Sequence, residues 1–186
     1  MKSSWLMWKG ELPDAAIADI VERCEKQPSL DGIIEGDSSP LKNNSVRKST
    51  VRWVNKDQGL RDLIWECGTI ANSSSFGFDI VNKFDIQHTT YYGKGNDHYD
   101  WHEDNCWINE KFYDRKLSLI IQLSDPSEYT GGKFEFEING KIVTPEGFEE
   151  KGSILVFPSF IRHRVNPVTK GTRQSIVSWI EGPAFR

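Results

Sequence analysis

From Phe84 onward the apolar residues of this chain stop recurring every three or four positions and begin recurring every two, and that change of period restricts the fold most. Phe84, Ile86, His88, Thr90 and Tyr92 alternate with their neighbours, and Gly93-Lys-Gly95-Asn then turns the chain. Leu117 to Leu123 is largely apolar, Gly131-Gly132 makes a turn, and Phe134, Phe136 and Ile138 alternate with charged residues up to an Asn139-Gly140 hairpin signal. Ser153 to Phe157 and Gln174 to Ile180 read as further buried strands. Short strands, glycine turns and no strand-helix-strand rhythm predict an antiparallel double sheet. The fold class expected is mainly β with N-terminal helices, a double-stranded β-helix or jelly roll.

The first part of the chain has the other period. Pro13 and Asp14 precede Ile17, Ile20, Val21 and Cys24, which predicts an amphipathic helix ending near Pro28. Residues 31–44 read as loop and Val46 to Val54 as extended. A second helix carries Leu60, Leu63, Ile64 and Cys67 and is broken over Asn72 to Gly77. The 186 residues fit one domain, with 1–83 a helical support region with the first strands and 84–186 a jelly-roll catalytic core packed on the helices. A net charge of -4 gives no general pull toward nucleic acid. Cys24, Cys67 and Cys106 are widely spaced and form no CxxC, which fits a reducing cytoplasm. The N-terminal run is broken by Gly10 and Pro13 before it reaches the length of a signal sequence, and no long apolar stretch follows, so no membrane partner is expected.

Chemistry concentrates in His98-Tyr-Asp-Trp-His102-Glu-Asp104. On an extended strand every second side chain shares a face, so His102 and Asp104 are placed to hold one metal ion, with His163 downstream as third ligand. Two histidines and one carboxylate on one face are the donor set of non-haem Fe(II) oxygenases. The same alternation puts His98 and Asp100 on that face. Alternation alone leaves open which of the two pairs completes the site, His98 with Asp100 or His102 with Asp104.

The order of motifs carries a resemblance over about residues 84–183. Tyr92, His102-Glu-Asp104, Arg115-Lys-Leu-Ser, the run from Leu123 through Gly131-Gly132 to Phe134, Gly152-Ser-Ile-Leu-Val-Phe-Pro, His163-Arg-Val and Gly171-Thr-Arg173 through Trp179 resemble the Fe(II)/2-oxoglutarate-dependent dioxygenases, in their prolyl 4-hydroxylase-like branch. The resemblance implies Fe(II) on His102, Asp104 and His163, because the family's HxD is commonly followed by asparagine, here Asn105, and Tyr92 stands ten residues before His102 but six before His98. His98 and Asp100 are then left as substrate contacts or supports of the ligands. The cosubstrate implied is 2-oxoglutarate, with its far carboxylate on Arg173. It implies O2 as co-reactant, with ascorbate as an accessory reductant. The reaction implied is hydroxylation of an unactivated C–H bond with release of succinate and CO2. Tyr92 would add a hydroxyl to the cosubstrate, or cap its strand. Gln122 falls where some relatives place a tyrosine, and faces either the cosubstrate or a core water. His88 reads as a satisfied strand histidine.

The substrate is less determined. Tyr99, Trp101 and Trp107 stand around the metal motif, as holders of a proline ring or other planar group or as packing. Arg47, Lys48 and Arg52 read as a solvated strand face. The expected partner is a peptidyl (prolyl) or small-molecule substrate. The alternatives are a nucleic-acid dealkylase of the same chemistry, which the negative charge disfavours, and a non-catalytic jelly-roll binding module, which has no use for the ligand trio.

Overall fold

The computed structural model describes residues 3–32, 45–105 and 112–185. Thirteen strands and two α-helices are formed among them: β1 (Leu6–Trp8), α1 (Asp14–Glu25), β2 (Leu30–Asp31), β3 (Arg47–Lys48), β4 (Thr50–Trp53), α2 (Gln58–Ala71), β5 (Phe84–Tyr92), β6 (His98–His102), β7 (Tyr113–Gln122), β8 (Tyr129–Gly131), β9 (Phe134–Ile138), β10 (Lys141–Val143), β11 (Ile154–Pro158), β12 (His163–Val165) and β13 (Val168–Pro183). The helices lie where the apolar stripes predicted them. The Asp57 carboxylate accepts from the Leu60 N–H at 3.0 Å to cap α2, and pairs with Arg23 of α1 at 2.7 Å, so one side chain both ends a loop and ties the helices together. The break after α2 is a π-helical turn, Asn72–Phe76, closed by Gly77 at φ 73°.

The strands form two antiparallel sheets. The larger runs β1-β11-β7-β13-β5-β4-β2, with β8 added to β13, and the smaller runs β10-β9-β12-β6-β3. Asn139 and Gly140 both have positive φ, as the tight β9–β10 hairpin requires. Strand alternation divides the core in two. Leu117, Leu119 and Ile121 of β7 face the helices with Ile176 and Ile180 of β13, against Ile17, Leu60 and Ile64. Ile120, Leu155, Phe157 and Tyr91 point instead between the sheets, against Phe134 and Phe136 of β9. Full burial of each such side chain is worth about 1.5–3 kcal/mol before chain entropy is set against it. Both faces of the large sheet are therefore buried, the outer by helices and the inner by the small sheet. No helix among the described residues is long and apolar enough to cross a membrane.

Candidate metal centre

The small sheet places the first histidine through an irregularity. In the β6–β12 pair, His102 lies opposite His163 but Tyr99 lies opposite Val165, three residues against two, which is a β-bulge. The bulge puts Tyr99 and His102 on one face although they are three apart, and their rings stack at 3.4 Å between centroids. It also moves His98 off that face. The His98 ring nitrogens lie 3.0 and 3.2 Å from the Asn96 and Ser45 carbonyls, and His98 is absent from the cavity lining, contrary to simple alternation. Asp100 is exposed, its carboxylate taking the Trp101 N–H at 2.8 Å.

Asp104 lies beyond the end of β6, so strand alternation is not what delivers it. Its own N–H donates to the Ser159 carbonyl at 2.9 Å, turning the carboxylate inward, where the Ser118 hydroxyl donates to Oδ2 at 2.6 Å. Burial works to raise this carboxyl. The adjoining His163 and the Ser118 hydroxyl outweigh it and hold the group below the usual carboxylate range. Burial, reinforced by His163, pushes His102 down to about 3, so this imidazole is neutral.

The backbone fixes both ring tautomers. His102 Nδ1 lies 2.7 Å from the Asp100 carbonyl and His163 Nδ1 lies 2.8 Å from the Ile161 carbonyl. A carbonyl only accepts, so each Nδ1 carries a proton and Nε2 is the nitrogen turned toward Asp104. The two Nε2 atoms lie 3.6 and 3.4 Å from the Asp104 carboxylate. With no ion between them a shared proton would have to relieve the contact, and a divalent cation relieves it for all three groups at once. One ligand atom from each of the three residues lies within 4.8 Å of the others, the single such group of His, Cys, Asp and Glu among the described residues. The donor set fits a divalent ion that accepts imidazole and carboxylate together, with the remaining ring nitrogens braced as metal histidines commonly are.

The metal-facing cavity, about 30 Å³, is also lined by Arg47, Gln87, Tyr91, Arg173 and Trp179. Arg173 of β13 is 2% exposed and has no carboxylate within ion-pair distance among the described residues; its guanidinium stands 5.7 Å from the Tyr91 ring. A buried guanidinium without a counter-charge is costly, and a bound carboxylate would remove that cost.

Other predicted residues fall elsewhere. Tyr92 is 41% exposed, and it is Tyr91, its neighbour, that reaches the cavity, because residues 87, 89 and 91 of β5 point inward while Phe84, Ile86 and His88 point to the helices. Trp101 lies outside the cavity with the Arg164 guanidinium 4.5 Å above its ring, and Arg164 pairs in turn with Glu135. Trp107 lies outside the described residues. Gln122 points inward and is fully buried. His88 is fully buried, its ring nitrogens without a well-formed hydrogen bond and with the Gln174 side chain beside them.

The sequence reading also missed contributors. Arg47 is not on a solvated face: it is buried over the Tyr99 ring at 4.6 Å and donates to the Gln87 side chain at 2.7 Å, while exposed Lys48 takes the other side of β3. Its one-residue offset from Lys48, which puts the two on opposite faces of a strand, was the available signal. Trp179, with Arg115 4.4 Å over its ring and Trp53 6.4 Å away, closes the cavity's outer edge.

Solved structures share this architecture. A Pseudomonas putida prolyl-4-hydroxylase superposes with a TM-score of 0.73 at 15% identity over 97% of this chain and 94% of that one. A Trichoplax adhaerens prolyl hydroxylase, solved with a hypoxia inducible factor oxygen degradation domain peptide fragment, gives 0.72 at 16% identity over 95% and 83%. At such identities the likeness shows the fold alone, a mainly β jelly roll. In sequence, a PKHD-type hydroxylase of Colwellia psychrerythraea is 33% identical over 99 residues, 53% of this chain and 42% of the relative. The chain thus spans about two fifths of the length of that curated relative. Residues 86–181, more than half of the chain and every strand from β6 to β12, match the 2OG-Fe(II) oxygenase superfamily, and the chain belongs to that superfamily.

Proposed function

We propose that this protein is an Fe(II)- and 2-oxoglutarate-dependent hydroxylase of the prolyl 4-hydroxylase type, acting on a peptidyl or small-molecule substrate. The observation that carries the reading is the pair of Nε2 atoms turned on Asp104 by backbone-braced rings, with one ligand atom from each of the three residues within 4.8 Å of the others. The family implies Fe(II) and 2-oxoglutarate, and the residues present fit both. His102, Asp104 and His163 would hold the iron, and Arg173 the far carboxylate of the 2-oxo acid. Together these groups supply oxidation by O2, in which loss of CO2 to give succinate provides the electrons that put one oxygen atom into a substrate C–H bond.

The chain's own side chains then orient and exclude. Ser118, bonded at 3.0 Å to Ser159, fixes which Asp104 oxygen is free. Burial keeps the Tyr99 phenol protonated, and its ring, flat against His102, makes one wall for a substrate ring or chain. Trp179 makes an apolar opposite edge that sheds water from the reacting carbon. The Trichoplax adhaerens relative was solved with a peptide, which supports a peptidyl substrate here.

The test is aerobic incubation with Fe(II) and 2-oxoglutarate, scored for succinate and for mass gain of one oxygen across proline-containing peptides, amino acids and oligonucleotides. Succinate with an oxidised peptide or amino acid is expected. A product only from alkylated oligonucleotides would move the reading to the dealkylases, and absence of both iron binding and succinate would end it.

A further inference from the structure

The turn between β11 and β12 holds two of the three ligands. The Ile161 N–H donates to the Pro158 carbonyl at 2.9 Å, which closes the turn. Within it, the Ser159 carbonyl accepts from the N–H groups of Asp104 and Asn105 at 2.9 and 3.2 Å, and the Ser159 hydroxyl lies 3.0 Å from the Ser118 hydroxyl that bonds Asp104 Oδ2. Two residues on, the Ile161 carbonyl accepts from His163 Nδ1 at 2.8 Å. His102 is outside this arrangement, since its Nδ1 rests on Asp100 of its own strand. A shift of the turn therefore displaces Asp104 and His163 relative to His102.

Phe160 stands between Ser159 and Ile161, and its ring is absent from the cavity lining. It meets the Phe78 ring and the Phe185 ring edge-on, each at 6.2 Å, and those two meet each other edge-on at 6.1 Å, so three rings close a triangle. The two outer rings are fixed from different parts of the chain. The π-helical turn after α2 begins at Asn72, whose side-chain amide donates to the Phe78 carbonyl at 2.8 Å and whose Oδ1 accepts from the Phe78 N–H at 2.9 Å. Such turns are rare and concentrate at functional sites, and this one delivers Phe78. Phe185 is tied to the start of β7. Its N–H donates to the Asp114 carboxylate at 2.7 Å, the Ala184 N–H donates to the Phe112 carbonyl at 3.1 Å, and Lys116 Nζ stands 3.1 Å from the centre of the Phe185 ring. The Lys116 carbonyl in turn accepts from the Ser159 N–H at 3.0 Å, which returns the chain of contacts to the turn.

We propose that Phe160 is a positioning residue of the metal centre, gripped by Phe78 and Phe185 so that one turn sets Asp104 and His163 together. None of the three rings lines the metal-facing cavity, so they act on the ion only through the turn. The inference rests on the metal reading above.

The test titrates Co(II) into the protein, following heat and the visible ligand-field band at a temperature well below the melting point of each variant. Phe160→Ala is expected to weaken Co(II) binding about tenfold and to shift the band, a loss of the size seen when groups that orient metal ligands are removed. Phe160→Tyr keeps the ring and should retain both. Phe185→Ala, at a position 38% exposed, should move affinity and band in the same direction by a smaller factor. Ile64→Val in α2 is the control, and should lower the melting temperature with affinity and band unchanged. Wild-type affinity and band in Phe160→Ala, or in Phe185→Ala if the first does not fold, overturn the positioning role. A loss as large in Phe160→Tyr as in Phe160→Ala overturns the role of the ring, and an equal loss in Ile64→Val would trace the effect to stability alone and overturn the proposal. Wild-type protein that binds no Co(II) would overturn the metal reading itself, and this inference with it.

Discussion

His102 and His163 each set Nδ1 on a backbone carbonyl and turn Nε2 to Asp104, whereas His98, its Nδ1 placed the same way on Asn96, turns Nε2 to the Ser45 carbonyl at 3.2 Å although it stands in an HxD of its own. His102→Ala and Asp104→Ala are therefore expected to abolish Fe(II) binding in an anaerobic titration, and His98→Ala to retain it; the reverse pattern would mean the wrong pair has been chosen. Arg173→Lys keeps the charge and loses the planar fork, so the apparent KM for 2-oxoglutarate should rise roughly ten- to a hundredfold, with iron affinity unchanged. An unaltered KM would remove Arg173 from the cosubstrate site. His88 gives a third prediction. Burial, and then Arg52, push its imidazole down from an ordinary value near 6.5 to about 4, with Glu25 opposing. Folded His88 stays neutral while the unfolded chain takes up a proton, so its neutral burial is fully compatible with folding above about 6.5 and is penalised as pH falls toward 4. The penalty reaches on the order of 3 kcal/mol, and His88→Gln should flatten the acid limb of a pH–stability curve by that order. An acid limb identical to wild type would show that His88 ionises freely.

At the scale of elements, β13 joins the parts. Its inward residues present Arg173 and Trp179 to the cavity, its outward Ile176 and Ile180 meet the helices, and its first residues carry β8. The β8 contact depends on Gly171, opposite Tyr129, at φ 68°, where a Cβ would stand 1.9 Å from the Glu128 carbonyl oxygen. Gly171→Ala should lower unfolding free energy by on the order of 1–3 kcal/mol in urea titration, from left-handed strain and forced separation of β8. Gly140→Ala, also at positive φ but with nothing within 4 Å, is the control and should lose less. Equal losses would mean that the close approach contributes nothing. Element positions were legible in the sequence: the apolar stripes placed α1 and α2, and Asn139-Gly140 placed the β9–β10 turn. Which face of β5 bears the site was not. Both faces of that strand are buried, so alternation marked two apolar rows without saying which row the helices cover, and Tyr92 was read for Tyr91.

For the whole molecule, the three candidate ligands come from two strands and a bend separated by about sixty residues of chain, so an ion held by all three would bind the folded state and not the unfolded one. Fe(II) at a hundredfold excess over its Kd should add about 2.7 kcal/mol. For a chain of this size that is roughly 5–10 °C in Tm, reversed by a chelator. A Tm indifferent to iron would argue against a site preformed by the fold. The sequence by itself determined the period of the strands, the ligand types and their order, because side-chain chemistry and two-residue alternation are local properties. Tertiary structure alone decided which histidine joins Asp104, since a bulge is set by the facing strand. It decided too that Arg47 lines the cavity with Arg173, since burial and cavity walls exist only once both sheets and the helices have closed around them.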